Sequence, residues 1–124
     1  GLAALFLACG QDVACVSEAA VGVTRFEVEG NGGLYAAVTL PNLIVGTVGG
    51  GTGLPSQRAA LEVLGLAGPG HARALAEVCA GLALAGELSI IAALSAGHFT
   101  SAHERLARGR KAAGPTASEG RPTA

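Results

Sequence analysis

Residues 39–53 read TLPNLIVGTVGGGTG, and the rest of the chain is best understood outward from them. An apolar, β-branched run, Leu43–Val48, leads into three consecutive glycines, Gly49, Gly50 and Gly51, closed by Thr52. The run reads as a short buried strand and the glycines as the loop behind it. Glycine has no Cβ, so a ligand or another backbone can come close there, and a positive φ costs it little. Three in a row also carry an entropic cost that an ordinary turn has no need of. The pattern is neither a GxGxxG fingerprint nor a phosphate-binding loop ending in Gly-Lys-Ser/Thr. It predicts a close-contact loop.

The composition around this stretch bounds the possibilities. The 124 residues are half apolar, yet include three Phe, one Tyr and no Trp or Met. A core of this kind is built from Ala, Leu, Val and Gly, and the buried area per residue is modest for a free-standing domain. The chain therefore reads as one small domain or as a piece of a larger one. Its opening on Gly1, directly in helix-like sequence, favours the piece. A formal charge of −1 with eight Lys and Arg leaves no broad basic face for nucleic acid. Cys9, Cys15 and Cys79 make no CxxC pair and read as buried free thiols.

Upstream of the glycine stretch, Gly1–Cys9 reads as the end of a packed helix stopped at Gly10, with Asp12 just beyond it. A second helical segment is expected at 13–20. Thr24–Glu29 alternates, with Thr24, Phe26 and Val28 on one face, and Leu34–Leu40 does the same. The intervening Gly30-Asn31-Gly32-Gly33 makes the pair an antiparallel hairpin.

Downstream, Pro55 opens a helix from about Ser56 to Leu64, capped at Gly65. Leu75, Val78, Cys79 and Leu82 then recur at helical spacing in the longest helix, His71 to about Ala96. Its section Val78–Gly97 is long enough to raise the question of a membrane span. The mid-span Glu87 and the many Ala and Gly instead predict a buried helix of a soluble protein. Gly81 and Gly86 suggest another backbone crossing that helix closely. A basic segment, His98–Lys111, follows, and the tail from Ala112 reads as disordered.

Few polar residues could carry chemistry. Asp12 lies in an apolar neighbourhood, where a carboxylate finds a partner or has its pKa raised. Either a structural cap or a catalytic role fits it. Glu87 reads as a hydrogen-bond anchor between helices. His98 and His103 are five apart, a poor spacing for a shared metal, so no metal site is expected. One of these histidines suits proton delivery near neutral pH. Arg105, Arg108, Arg110 and Lys111 could hold an anion or form a solvated basic face.

Three separated stretches, GQD at 10–12, IVGTVGGGTGLPSQ at 44–57 and AGELSIIAALSAGHFTSAH at 85–103, resemble the 3-hydroxy-3-methylglutaryl-coenzyme A (HMG-CoA) reductase family, in its order and spacing. The resemblance covers Gly1 to about Arg110 and is closest to the NADPH-using class I. It implies an α+β fold: the C-terminal part of the large, substrate-binding domain (1–110), with antiparallel strands, a long buried helix and a disordered tail (111–124). It implies reduction of HMG-CoA to mevalonate and free CoA with two NADPH, in a cytoplasmic homodimer or higher oligomer with shared active sites, and no membrane.

The same resemblance makes Asp12 the catalytic aspartate, beside a lysine, and His103 the acid that protonates the departing CoA thiolate. His98 becomes structural, Arg108 a contact to the NADPH 2′-phosphate, and Gly49, Gly50 and Gly51 the cofactor-side loop. The family's catalytic glutamate and lysine and its DxMGxN cofactor motif are absent from these 124 residues, so the piece alone is expected to be inactive. Val16 stands where the family has asparagine, Ala19, Ala20 and Ala102 where it has serine, and Gly109 where animal enzymes carry a phosphorylated serine. The alternatives are an inactive remnant that binds acyl-CoA and a purely structural domain.

Overall fold

The computed structural model describes residues 1–98, 100 and 101. The domain limit at 110/111, the tail, the basic segment beyond Ser101, and with them His103 and Arg108, lie outside these residues. Two compact units divide at Ile91/Ala92.

In the first unit, helix α1 (Leu2–Ala8) is followed by a 3-10 turn (Val13–Cys15) and a one-turn helix α2 (Val16–Ala19). Strands β1 (Val23–Val28) and β2 (Leu34–Thr39) form an antiparallel pair with Phe26 opposite Ala36 and Thr24 opposite Val38. Thr24, Phe26, Ala36 and Val38 are half-buried, as the alternation predicts. At the tip of the ribbon, Val28 and Leu34 face each other in solvent. A second 3-10 turn (Gly50–Gly53) leads into α3 (Pro55–Val63), where Pro55 occupies the first turn and so removes an N–H that would lack a helical partner. Helix α4 (Ala72–Ser95) begins after the Gly68-Pro69-Gly70 break.

The core is two small clusters sharing Leu5 and Val45 at their margins. Cys9, Leu61, Leu66 and Leu75 form one, and Phe6, Ala19 and Cys79 the other. Helix α1 supplies a residue to each, because Phe6 and Cys9 lie three apart on one helical face. Cys15 and Val16 pack on the second cluster beside Ala19, so these three residues after GQD extend this core, while Val13 and Ala20 are exposed. Burial raises the pKa of the Cys9 and Cys79 thiols, and for Cys79 proximity of Cys9 adds to it. Both are free and buried as expected, while Cys15 is half-buried.

Three expectations are corrected. The long helix exists but is mostly exposed: of α4, only Leu75 and Cys79 are buried, and Leu82, Ile90 and Leu94 are 37, 48 and 55% exposed. These two residues lie one turn apart and meet both core clusters; among the described residues, the apolar residues that follow are at best partly covered. By length and composition α4 could cross a membrane, with a mean hydropathy of 1.9 over its most apolar window. Among the described residues no backbone crosses Gly81 or Gly86, since a Cβ at either would meet nothing within 4 Å. Finally, 43–46 is irregular chain that bends at Thr47 and Val48 and has no strand partner among the described residues; at Gly46 a side chain takes that place, as described below.

In the second unit, the end of α4 closes at Gly97, where the His98 N–H donates to the Ala93 carbonyl at 2.9 Å. Ser101 Oγ donates to the His98 carbonyl at 3.0 Å.

Candidate functional site

The site is the place where the end of α1 meets the glycine loop. Helix α1 stops because Gly10 takes φ +68°, which lets the Gln11 N–H turn back to the Phe6 carbonyl at 2.9 Å. This reversal places Gly10 against Gly51. A Cβ on Gly10 would lie 2.5 Å from the Gly51 carbonyl carbon and oxygen and 2.7 Å from the Thr52 nitrogen. A Cβ on Gly51 would lie 3.1 Å from the Gly10 carbonyl oxygen. The loop's expected close approach is therefore real, and at Gly51 its partner is the backbone just before Asp12.

The other two glycines serve differently. Gly49 and Gly50 adopt positive φ, +82° and +54°. A Cβ at Gly49 would meet nothing within 4 Å, and at Gly50 only the Gly10 oxygen at 4.0 Å. Their backbone is open to whatever approaches. Buried Thr52 fixes the loop by donating its hydroxyl to the Gly49 carbonyl at 2.6 Å, and buried Thr47 donates to the Gly68 carbonyl at 2.6 Å.

Gln11 is the principal tie. Its Nε2 donates to the Gly46 carbonyl at 2.8 Å and to the Cys9 carbonyl at 2.9 Å, while its Oε1 accepts the Gly46 N–H at 2.8 Å. The side-chain amide thus pairs with Gly46 on both sides, as a neighbouring strand would. These bonds span 35 residues of sequence. Sequence reasoning quoted Gln11 only as a letter of GQD. The available signal was a primary amide among apolar residues, which must find donors and acceptors when covered.

Asp12 is exposed and begins the 3-10 turn, its Oδ1 accepting the Ala14 N–H at 2.9 Å. This is the partner expected of a carboxylate past a helix end. It is a capping bond, and it also fixes the side chain. Asp12 lines an open concavity of about 450 Å³ together with Leu7, Gln11, Gly50, Gly51 and Gln57. Gln57 closes one side through a long contact of its Nε2 to the Leu7 carbonyl, 3.4 Å. Asp12 and the loop are thus brought together. Gly49 lines a neighbouring cavity with Arg58 and Pro69 instead. Glu87 is half-buried beside a separate apolar cavity and anchors no hydrogen bond among the described residues. Among those residues no cluster of three or more His, Cys, Asp or Glu could hold a metal ion.

Comparison with known proteins points one way. The family model described as Hydroxymethylglutaryl-coenzyme A reductase matches residues 1–108. The chain is 52% identical over 110 residues to the 3-hydroxy-3-methylglutaryl-coenzyme A reductase of Pyrococcus horikoshii, covering 85% of this chain and 27% of that protein. It is 52% identical over 113 residues to the protein of the same name from Aeropyrum pernix, covering 87% and 27%. With 3-hydroxy-3-methylglutaryl-coenzyme A reductase 1 of Oryza sativa subsp. indica the identity is 43% over 122 residues, covering 93% and 23%. The chain spans about a quarter of the length of these curated relatives.

Proposed function

The chain belongs to the HMG-CoA reductase family, and from that premise we propose that it forms the aspartate-bearing side of a reductase active site in a longer polypeptide. The reaction is reduction of HMG-CoA to mevalonate and free CoA with two NADPH, carried out in the cytoplasm by a homodimer or larger oligomer. The observation that carries this reading is the seating of Asp12, a carboxylate fixed by its own turn, on the concavity walled by Gly50 and Gly51.

The chemistry asks for such a group. Reducing a thioester carbonyl builds negative charge on its oxygen, and a cationic proton donor must stand beside that oxygen. A lysine from outside this chain, placed next to Asp12, is kept protonated by the nearby carboxylate, because an opposite charge favours the charged form. NADPH supplies the hydride when bound. The residues present fit such a ligand: the backbone at Gly49 and Gly50 lies open, with no side chain to block a flat ring or a phosphate. Arg108 would pair with the 2′-phosphate and His103 would give the departing CoA thiolate its proton, leaving it a poor nucleophile.

The test is NADPH oxidation by the full-length protein, dependent on HMG-CoA. Its absence from folded protein would leave a family member that only binds acyl-CoA. His103→Gln should depress thioester reduction at least tenfold more than reduction of added mevaldehyde, since general acid catalysis typically contributes about 10²–10⁴-fold. Equal losses in the two assays would remove the thiolate-protonation role.

A further inference from the structure

We propose that Gln11 is a positioning residue for the reaction, holding Asp12 and the glycine loop in one fixed relation. This rests on the reading of Asp12 as catalytic. Two ties immediately precede that aspartate. In one the Gly10 backbone is pressed on Gly51, a contact that resists compression but not separation. In the other the Gln11 amide grips both backbone groups of Gly46 and the carbonyl of Cys9.

Of these two ties, the second resists separation. Among the described residues segment 43–48 has no strand beside it, so no sheet ladder holds Gly46 at this distance. The loop residues Gly49–Gly51 follow Gly46 after three to five residues, and Asp12 follows Gln11 directly. The amide therefore helps to set the spacing between the carboxylate and the loop, adding direction to the apolar packing of Val45 on Phe6 and Cys9. Its geometry is suited to that work: donor and acceptor of a planar group bind the N–H and C=O of a single residue, which fixes orientation as well as distance. Any loosening moves Asp12 relative to groups bound on the loop, and reacting groups displaced by about 1 Å can lose about 10²-fold in rate.

The experiment uses the full-length protein, with Gln11→Leu, Gln11→Glu and Asp12→Asn assayed for NADPH oxidation and melted in parallel. Gln11→Leu should lower kcat roughly 10- to 100-fold while KM moves less than about threefold. Hydrogen exchange at the Gly46 amide should speed up in the same variant. Gln11→Glu keeps the shape but, ionised, presents only acceptors to the Gly46 and Cys9 carbonyls. Its kcat relative to the unsubstituted protein should climb as pH falls and the carboxyl regains a donor.

A Gln11→Leu protein with full kcat and only a lowered melting temperature would overturn the proposal, leaving Gln11 a staple of the fold. Should that variant not fold, the Gln11→Glu pH series decides, and a flat ratio across pH overturns the proposal. Asp12→Asn separates the two layers. Loss of activity in Asp12→Asn with full kcat in the Gln11 variants removes only the positioning role. Full activity in Asp12→Asn removes the reductase reading of this site, and the proposal with it.

Discussion

The junction of α1 with the glycine loop and the outer length of α4 are opposite cases in the same chain. The junction has little apolar bulk, yet its backbone groups are paired one by one: Gln11 with Gly46, Thr52 with Gly49, Thr47 with Gly68. Helix α4 beyond Cys79 has abundant apolar bulk and only partial cover among the described residues, with Ile90 and Leu94 about half exposed. Local hydrophobicity says what burial would gain; it does not supply a partner. Directional bonds between distant segments define a site even where the buried area is small, because each covered polar group left unpaired is costly.

Substitutions put that contrast to the test. The largest difference should lie within α4 itself. Leu75→Ala, at a fully buried position, should cost about 2–5 kcal/mol in urea denaturation, whereas Ile90→Ala should cost less than about 1 kcal/mol. Equal costs would show that the exposed length of the helix is covered after all. Next comes Gly10→Ala, which meets both a positive φ and the Gly51 backbone. It should lose about 2–4 kcal/mol, read in the same way. A neutral result would mean that the two backbones are not in contact.

Smaller still is Gly81→Ala, which should gain about 1 kcal/mol, because the added methyl meets nothing within 4 Å and alanine favours the helix. A loss there would reveal a backbone packed on that face. The smallest effect is alkaline. Burial raises the Cys9 and Cys79 pKa values above the ordinary 9.0, so the folded state keeps protons that the unfolded chain releases. The stability this provides is complete below pH 9.0 and is lost as pH rises through the folded-state values. Cys9→Ala should flatten the decline in denaturation midpoints measured across that range.

Much of this was legible in the residues, for identifiable reasons. The helix ends, the hairpin and the break at Gly10 follow from local preferences that glycine, proline and alternation encode directly. The carboxylate past a helix end was legible too, as was a glycine stretch needing close company. What the company was could not be read. Gly10 and Gly51 are far apart in sequence, and neither carries a side chain to pattern. The strand expected at 43–48 is not formed; Gly46 is bound by an amide side chain instead, and an apolar, β-branched run cannot tell a strand from chain held in that way. The long helix was read correctly as a helix and wrongly as buried, since periodicity marks the face that wants cover without showing that cover exists. For His103 and Arg108, which lie outside the described residues, family resemblance is the only support.

Most depends on whether Asp12, where α1 meets the glycine loop, takes part in the chemistry. The direct measurement is the rate of HMG-CoA-dependent NADPH oxidation by the full-length protein and its Asp12→Asn variant at saturating substrates, with melting curves to confirm folding. Asp12→Asn should lose at least about 10³-fold in kcat at an unchanged melting temperature, as expected when a group that steers transition-state charge is removed. An Asp12→Asn protein within a few-fold of the unsubstituted rate would contradict it, and would leave Asp12 as nothing more than the cap of a 3-10 turn.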